Sequence, residues 1–424
     1  FFQAEDGIRA LVRSRGLGDV YKRQLTFRKP GYKTRELIIE AIKDTPVETT
    51  VTLEKEKESA ESDTDDAYET QISREGVTVL LGAERTLLTP GALGLSGFPG
   101  SVVTRLSDTP FRLLGTSAGD GYLVEGADLT SLSRARRIAG PGAPGSFDNA
   151  YVGLSAAYVS TEGPIYVFYQ GNDSEGLGPL PGGESALRGF YGRIGLLISH
   201  DRGFSWKKSG PVLQSVKPKS WTAYQGQQDR GVAEPGVVRE KSGRYLYLYY
   251  TDHSGVDNRG VQICLARADL EEGSPAPGRF KKYFRGEFTQ PGLGGRDTPV
   301  INVHHLDDAD ALFPSPIYSK TLDRYIMIFA VNFWKENYPG KKIEKSGIYA
   351  AYSPDGITWS APVLLVKGRT AFIKGKAFSS MASFIPDPGS TTRGWLVYAS
   401  SPRWGLGDDG TLPQHLAGRR ILFR

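Results

Sequence analysis

Residues 245–250 read YLYLYY, six consecutive tyrosine and leucine side chains, none of them charged. A half-exposed β-strand alternates apolar and polar side chains, whereas a strand buried on both faces reads as a continuous apolar run. The same kind of run recurs at intervals of roughly 50–80 residues. The four further copies are PFRLLG at 110–115, IYVFY at 165–169, YIMIFA at 325–330 and WLVYA at 395–399. The chain therefore repeats one β unit, and each copy centres on a strand that is covered on both sides.

The repeat predicts a β-propeller, because β units of fixed period that cannot bury their faces alone stack radially around an axis. Five copies predict five blades over residues 76–424 and an all-β fold. The last copy has only about three strands before the chain ends, and VTVLLG at 77–82 is expected to supply the missing one. That closure would pair the open sheet edges. A β-sandwich is the alternative, but it does not account for five equivalent apolar strands.

The composition excludes several classes of protein. Of 424 residues, 39% are hydrophobic and 23% are charged, which is typical of a folded chain, and the 52 glycines and 26 prolines suit an all-β fold with many turns. No apolar run approaches the ~18 residues that a transmembrane helix requires. The single Cys264 excludes a disulfide framework and a cysteine-based zinc site. The net charge of +5 forms no basic stripe, so nucleic acid is not an expected partner.

Three segments precede the repeats. Residues 1–24 show no convincing period and resemble a translated sequencing-adapter read, so we expect them to be non-native and the true N-terminus, with any signal peptide, to be missing. Residues 25–54 hold short β-rich runs, and the RKPGY turn at 28–32 resembles the second half of a PEGA domain, a small β module of bacterial surface proteins. Residues 55–75 are charged and predict a linker. The module and its tether favour a secreted, periplasmic or cell-surface location.

Two loops carry the S-x-D-x-G-x-[ST]-W pattern of an Asp box. One is SHDRGFSW at 199–206, and SPDGITW at 353–359 is the same motif one residue short. In such a loop the Asp caps the turn amides, the Gly permits a positive φ and the Trp packs against the sheet. Each box is expected to join the two outermost strands of a blade. Asp201 and Asp355 are therefore predicted to be structural rather than catalytic.

Strand direction predicts which side chains share the mouth of the central channel. The innermost strand of a blade starts at one face and the second strand returns to that face, so residues before the first and after the second converge there. Asp148, Glu234 and Asp310 stand before the inner strands of blades two, three and four. The other polar and aromatic side chains expected at the mouth are Asn149, Gln170, Asn172, Asp173, Asp252, His253, Asn332, Trp334, Arg403 and Trp404, with Trp221 and Tyr224 in the loop that enters blade three.

Three carboxylates among amides and indoles are the groups that glycoside hydrolysis needs. One carboxylic acid protonates the leaving oxygen, and one carboxylate activates water. A third acid can position the substrate or shift the pKa of a neighbour. Trp221 and Tyr224 are expected to form a wall on which sugar rings stack. The sequence therefore predicts an oligo- or polysaccharide as the partner.

A five-bladed propeller with channel-mouth carboxylates on consecutive blades resembles the furanosidase clan of glycoside hydrolases, which includes arabinanases, arabinofuranosidases, xylosidases and the invertase relatives. The resemblance implies acid/base hydrolysis, with inversion and no required cofactor, and a structural cation in the channel of some members; no metal ligand is assigned. The clan carries its acids in the order Asp base, Asp modulator, Glu acid, whereas this chain has Asp148, Glu234 and Asp310. Because the Glu-Pro-Gly at Glu234 resembles the acid position of the invertase branch, we assign Glu234 as the acid, Asp148 as the base and Asp310 as the supporting acid.

Two other functions stay open. The Asp boxes suggest a sialidase-like exo-glycosidase, although sialidases use six blades and an arginine cluster that has no match in this sequence. A non-catalytic propeller that binds glycans at the cell surface suits the PEGA-like module and its tether equally well. An inverting pair of carboxyl groups stands about 6.5–9.5 Å apart across a pocket, a gap that a binding protein has no reason to keep. In each case the chain is expected to be a monomer.

Overall fold

The computed structural model describes two units, which divide the chain into Phe1–Ala67 and Tyr68–Arg424. It gives the backbone of four strands within residues 8–51, and it describes residues 68–424 apart from 75, 162, 178–188, 221–229, 256–258, 339, 374 and 406–412. The regular elements are β-strands joined by short 3-10 turns, which confirms the predicted all-β class. No helix in the described part of the chain has the length and apolar character needed to cross a membrane.

The described residues of the first unit form four antiparallel strands. They are β1 (Ile8–Val12), β2 (Val20–Phe27), β3 (Arg35–Ile42) and β4 (Val47–Val51). Strand β1 pairs with β4, and β2 pairs with β3. The ladder between β2 and β3 begins by pairing Val20 with Ile42. The boundary predicted after residue 24 therefore falls inside β2.

Three strands open the second unit: β5 (Tyr68–Arg74), β6 (Val77–Gly82) and β7 (Arg85–Leu88). Residues 55–67 of the predicted linker lie outside the described residues, whereas 68–74 form β5 instead of a linker. The reason for this difference is pairing, because β5 forms an antiparallel ladder along β6 and covers its edge. Ile72 of β5 also packs against a core of buried residues.

From residue 104 onward the described residues form five successive antiparallel meanders, which we number in chain order. Meander 1 comprises β8 (Thr104–Asp108), β9 (Phe111–Ser117), β10 (Asp120–Gly126) and β11 (Leu132–Ala139). Meander 2 comprises β12 (Tyr151–Val159), β13 (Ile165–Asp173), β14 (Tyr191–Ser199) and β15 (Lys207–Leu213). Meander 3 comprises β16 (Arg230–Arg239), β17 (Tyr245–Asp252), β18 (Gln262–Asp269), β19 (Lys281–Phe284) and an added β20 (Glu287–Pro291). Meander 4 comprises β21 (Asp310–Ser319), β22 (Arg324–Asn332), β23 (Gly347–Ser353) and β24 (Val363–Lys367), and meander 5 comprises β25 (Phe378–Pro386), β26 (Arg393–Ser401) and β27 (His415–Phe423).

The first strands of the meanders contact one another in a closed cycle. Strand β8 contacts β12, β12 contacts β16, β16 contacts β21, β21 contacts β25, and β25 contacts β8. Meanders 2 and 3 are also joined by a short parallel pairing of β14 with β16. Antiparallel sheets arranged around an axis, with their first strands innermost, form a β-propeller. This is the architecture that the aromatic repeats predict.

Each predicted aromatic run is the second strand of its meander, namely β9, β13, β17, β22 or β26. Side chains along β17 alternate between two cores. Leu248 and Tyr250 share a core with Phe168 of meander 2, whereas Tyr249 shares one with Phe329 of meander 4. All five side chains are fully buried. A strand that serves two cores needs apolar side chains on both faces, which explains why these runs lack polar alternation.

The ring closes where β27, at the end of the chain, pairs with β6. The register places Ile421 opposite Leu81 and Phe423 opposite Val79. Strand β7 pairs with the earlier part of β27. The run at 77–82 therefore supplies the strand that the last repeat lacks, and meander 5 is completed by residues from the other end of the unit.

The two Asp-box loops join β14 to β15 and β23 to β24, the third and fourth strands of their meanders. Asp201 accepts hydrogen bonds from the backbone and hydroxyl of Ser205, and these bonds lower its pKa to about 2. The Trp206 indole donates to the Gly203 carbonyl at 3.1 Å. Asp355 accepts two backbone N–H bonds in its own turn. Both carboxylates are thus engaged by hydrogen bonds within their own loops, at the edge opposite to Glu234.

Replacing Phe423 with alanine tests the closure. Phe423 is 1% exposed and meets Phe384 edge to face, with ring centroids 5.4 Å apart. We expect Phe423→Ala to lower the free energy of unfolding by about 3–5 kcal/mol, because it leaves a cavity in the core that β6 and β27 share. Urea denaturation measures this change. The matched control is Phe204→Ala, at a side chain that is 74% exposed, with an expected change of about 0.5 kcal/mol or less. Equal losses in the two variants would contradict the role given to the closure.

Candidate active site at the mouth of the ring

One edge of every meander gathers the start of its first strand and the end of its second strand. Because the first strands surround the axis, these edges face a common opening, which we call the mouth. The Asp-box turns follow the third strands and lie at the opposite edge. Cross-strand pairs that mark the mouth edge are Tyr151 with Asn172, Val232 with Asp252, Asp310 with Asn332, and Phe378 with Ser401.

Glu234 occupies a β-bulge in the first strand of meander 3. Ala233 pairs with Thr251 and Gly236 pairs with Tyr249, so two residues, one of them Glu234, lie between the paired positions. A bulge of this kind bends the strand and re-aims a side chain. Glu234 has φ +56°, in the left-handed region that non-glycine residues rarely adopt. The strain holds this carboxylate in a direction that regular strand geometry would not give it.

The Glu234 carboxylate is held from two meanders. Its Oε2 accepts a hydrogen bond from the Thr251 hydroxyl at 2.6 Å and another from the Phe313 backbone N–H at 2.9 Å. Thr251 belongs to β17 of the same meander, whereas Phe313 belongs to β21 of the next. The side chain is 8% exposed. One oxygen is therefore a fixed acceptor, and Oε1 remains for other chemistry.

The first strands of meanders 4 and 5 repeat the bulge. Phe313 follows Leu312 with φ +58°, and Met381 follows Ser380 with φ +58°, each at the point where its ladder shifts register. Glu234 is thus the one titratable side chain among three equivalent left-handed bulge positions. The bulges also tie the ring together, since the backbone N–H at the bulge of β21 donates to Glu234.

Two further residues lie beside Glu234. The Nε2 atom of His253, which directly follows β17, lies 3.5 Å from Glu234 Oε1, and both side chains are buried. Tyr151, the first residue of β12, donates from its hydroxyl to the Gly100 carbonyl at 2.5 Å. Burial, together with the nearby charge of Glu234, raises the pKa of Tyr151 well above its usual value. His253 is a predicted site residue. Tyr151 was missed, although the rule that selects strand starts applies to it as well.

Asp310 is the first residue of β21, opposite Asn332 at the mouth edge. Its Oδ1 accepts a hydrogen bond from the Val261 backbone at 3.1 Å, and its Oδ2 accepts one from the indole N–H of Trp334. Trp334 is 50% exposed, so about half of this residue's surface is open to solvent. The structure therefore brings together Asp310, Asn332 and Trp334, as the sequence analysis expects. The Phe313 backbone N–H, which donates to Glu234, lies three residues further along the same strand, β21.

Asp148 has a different environment. Its Oδ2 accepts from the Tyr169 hydroxyl at 3.0 Å and pairs with Lys208 Nζ at 2.5 Å. Lys208 lies on β15, the outermost strand of meander 2, and also donates to the Gly140 carbonyl at the end of meander 1. The Asp148 side chain is only 3% exposed. These contacts place it in the wedge between meanders 1 and 2, where it shares no hydrogen bond with Glu234 or Asp310.

The amides and acids predicted in meander 2 bond mainly to one another. Asn149 donates to Asp173 Oδ1 at 2.7 Å, and Lys219 Nζ pairs with the same oxygen at 2.7 Å. Against the desolvation that would raise it, the bonds from Lys219 and Asn149 hold the pKa of Asp173 below its usual value. Gln170 donates to Asn172 Oδ1 at 2.9 Å. This cluster forms an ordered polar rim on the mouth edge of meander 2.

Asp252 belongs to a buried ionic network. Of the described residues, Asp252, Cys264 and Asp297 form a group whose candidate metal-ligand atoms lie within 4.8 Å of one another. Arg259 donates to both carboxylates, and Lys282 Nζ lies 3.2 Å from Asp297. Although burial opposes it, Lys282 and Arg259 hold the pKa of Asp297 down, whereas burial and the charge of Asp297 raise the pKa of Asp252. Two cations already balance the carboxylates, so the group does not fit a metal ion.

Arg403 and Trp404 follow β26 and lie at the mouth edge of meander 5. The Trp404 ring lies 5.9 Å from that of Phe372, centroid to centroid, and its backbone N–H donates to the Lys376 carbonyl at 2.8 Å. The backbone N–H of Arg403 donates to the Ser401 hydroxyl. Trp221 and Tyr224, the predicted stacking wall, lie outside the described residues.

Comparisons with known proteins give neighbours in fold alone. No protein-family model and no curated protein sequence matches the chain. An α-L-arabinanase from Cellvibrio cellulosa, solved with arabinohexaose, is 13% identical with a TM-score of 0.45, over 78% of this chain and 91% of that chain. An α-L-arabinofuranosidase from Lactobacillus brevis is 11% identical with a TM-score of 0.46, over 78% of this chain and 92% of that one. An α-L-arabinofuranosidase from Podospora anserina, solved with cellotriose, is 13% identical with a TM-score of 0.46, over 80% and 95%.

These neighbours are glycoside hydrolases of the types that the sequence resemblance names. Identities and TM-scores this low carry no conclusion about the substrate or the chemistry of this chain. The side chains at the mouth provide the basis for both.

The ion pair between Asp148 and Lys208 is expected to be structural. Lys208→Met would leave the buried Asp148 carboxylate without its cation and should lower the free energy of unfolding by about 3–5 kcal/mol. Adding Asp148→Asn to that variant should restore part of the loss, because no buried charge then lacks a partner. Lys207→Met, at the neighbouring exposed lysine, is the matched control and should change stability by about 0.5 kcal/mol or less. Denaturant unfolding of the variants measures these values, and a Lys208→Met protein as stable as the control would contradict this role.

Proposed function

We propose that this chain is a five-bladed β-propeller glycoside hydrolase that cleaves oligo- or polysaccharide, with Glu234 as its general acid. One observation carries the proposal: the buried Glu234 carboxylate sits in a left-handed bulge of an innermost strand, fixed through Oε2 by Thr251 and Phe313. A strained, over-determined backbone around a titratable side chain is typical of functional sites. Each of the five meanders then counts as one blade.

The hydrogen bonds on Oε2 determine where the acid proton resides. Both donors, the Thr251 hydroxyl and the Phe313 N–H, need a lone pair on Oε2, so the proton of the carboxylic acid sits on Oε1. From Oε1 it passes to the glycosidic oxygen as the bond to the anomeric carbon breaks. His253, 3.5 Å from Oε1, is placed to take part in reprotonation after the product leaves.

Asp310 is our candidate for the base that activates water. Two N–H donors, from Val261 and Trp334, each engage one of its oxygens and hold the carboxylate in place beside the Trp334 ring. Water attacks the anomeric carbon and gives its proton to Asp310, while the leaving oxygen takes the Glu234 proton. This single displacement inverts the anomer. The half-exposed Trp334 ring beside Asp310 offers a face for a sugar.

This assignment differs from the one drawn from sequence, in which Asp148 is the base and Asp310 the supporting acid. The pairing of Asp148 with Lys208, in the wedge between two meanders, argues for a structural role. Asp310 lies on the strand that also contributes the Phe313 N–H to Glu234. The two carboxylates that we propose as partners are therefore positioned by one element, β21.

Turnover by Glu234→Gln tests the proposal. The amide oxygen of glutamine can still accept from Thr251 and Phe313, so the fold is kept while the acid proton is lost. We expect kcat to fall by about 10²–10⁴-fold on whichever of arabinan, xylan, fructan, galactan or a sialoside the wild type cleaves, measured as reducing ends released. Glu240→Gln, in the turn between β16 and β17 at the opposite edge, is the matched control and should retain full activity.

Full activity in Glu234→Gln would remove Glu234 from the mechanism. A wild-type protein that binds these glycans and cleaves none of them would favour the glycan-binding alternative. Proton NMR of the first product released distinguishes inversion from retention, and a retained anomer would contradict the role given to Asp310.

A further inference from the structure

A cavity lies at the mouth edge between meanders 4 and 5. It has a volume of about 270 Å³ and is formed where β24 ends and the chain approaches β25. Three of the residues that line it carry a positive charge: Lys367, Arg369 and Lys376. The others are Ile343, Gly368 and Ala377. The described part of the lining therefore combines three cations with a small apolar surface, and none of its side chains is acidic.

None of these three cations has a carboxylate partner among the described residues, whereas two other charged pairs at the mouth edge are neutralised. Asp173 pairs with Lys219, and Asp307 pairs with Lys345. The Arg369 guanidinium does donate to a neutral acceptor, the Asn337 side chain, at 2.7 Å. Like charges that converge on a concave surface create a positive potential that attracts anions. An arginine held by a neighbour and flanked by two lysines is well suited to a carboxylate or an ester of sulfuric acid.

The cavity is connected to the proposed catalytic residues. Lys367 pairs with Gly347, at the same mouth edge as Asp310. The Asn337 side chain, which accepts from Arg369, donates to Asn332 at 2.9 Å. Asn332 is in turn the cross-strand partner of Asp310. A saccharide that extends along the mouth from Asp310 toward meander 5 would therefore reach the three cations.

We propose that this cavity is a subsite for an anionic group, so that the saccharide taken by the mouth is acidic: a uronic acid carboxylate or a sulfate ester on a sugar next to the one cleaved. The proposal rests on the proposed function for its placement, but the charge recognition is a property of the cavity itself. Lys367, Arg369 and Lys376 engage the anion, while Ile343 and Ala377 contact the C–H face of the ring. Neutral saccharides lack the group that these cations recognise.

Binding by the Glu234→Gln protein tests this subsite without turnover. The probes are an oligogalacturonide, a sulfated galactan oligosaccharide and a neutral xylo-oligosaccharide, titrated calorimetrically at low salt. Adding Lys367→Gln and Lys376→Gln should weaken the better-bound acidic probe at least tenfold and leave the neutral probe within twofold. Lys207→Gln with Lys320→Gln removes the same charge from exposed lysines at the opposite edge, and this control should change every Kd by less than twofold. Raising the salt concentration should weaken acidic binding through screening.

The two acidic probes distinguish the two candidate anions, because the oligogalacturonide carries carboxylates and the sulfated galactan oligosaccharide carries sulfate esters. The proposal is overturned if neither acidic probe binds, or if the lysine variant weakens acidic binding no more than the control does. If an acidic probe binds through Lys367 and Lys376 but the wild type cleaves nothing, the subsite stands and the proposed function fails. If Glu234-dependent cleavage of neutral glycans occurs without any contribution from the lysines, the function stands and the subsite fails.

Discussion

The pairing of β6 with β27 is the contact on which the rest of the second unit depends. It joins residues 77–82 to the last strand of the chain, so that the edge of β27 is paired instead of open. Closure holds the five first strands in one cycle of contacts around the axis. The mouth exists only because of that cycle, since side chains from β16 and β21 converge there only if the strands stay adjacent. Apolar side chains from the second strands fill the cores between neighbouring meanders. Their burial stabilises the closed ring.

The left-handed bulges position the proposed catalytic acid within this ring. A non-glycine residue at positive φ costs of the order of 1 kcal/mol, and the strand would be more regular without it. At Glu234 the cost is offset by two hydrogen bonds to one carboxylate oxygen, one of them from the bulge of the next first strand. The arrangement couples meanders 3 and 4 and fixes a buried carboxylate between them.

Much of the fold could be predicted from the sequence. A strand buried on both faces requires a continuous apolar run such as YLYLYY, and the last repeat lacks one strand, which the apolar run VTVLLG can supply. Strand direction also identified Glu234, His253, Asp310 and Trp334 as neighbours of the mouth. The same rule failed to predict the surroundings of Asp148, whose position depends on Lys208 reaching across from an outer strand. Strand β5 was missed because its side chains are mostly polar, and its order comes from tertiary contacts, chiefly its pairing with β6. The basic cavity was missed as well, since its three cations flank two strands and form no motif.

The structure of the Glu234→Gln protein with a bound oligosaccharide is the most direct measurement of the central claim, that the ring positions Glu234 and Asp310 on one glycosidic linkage. We expect a glycosidic oxygen within about 2.6–3.2 Å of the residue 234 side chain. We also expect the Asp310 carboxylate to lie across the same linkage, about 6.5–9.5 Å from the side chain of residue 234. An oligosaccharide bound at another surface, or a linkage out of reach of both side chains, would rule out this placement.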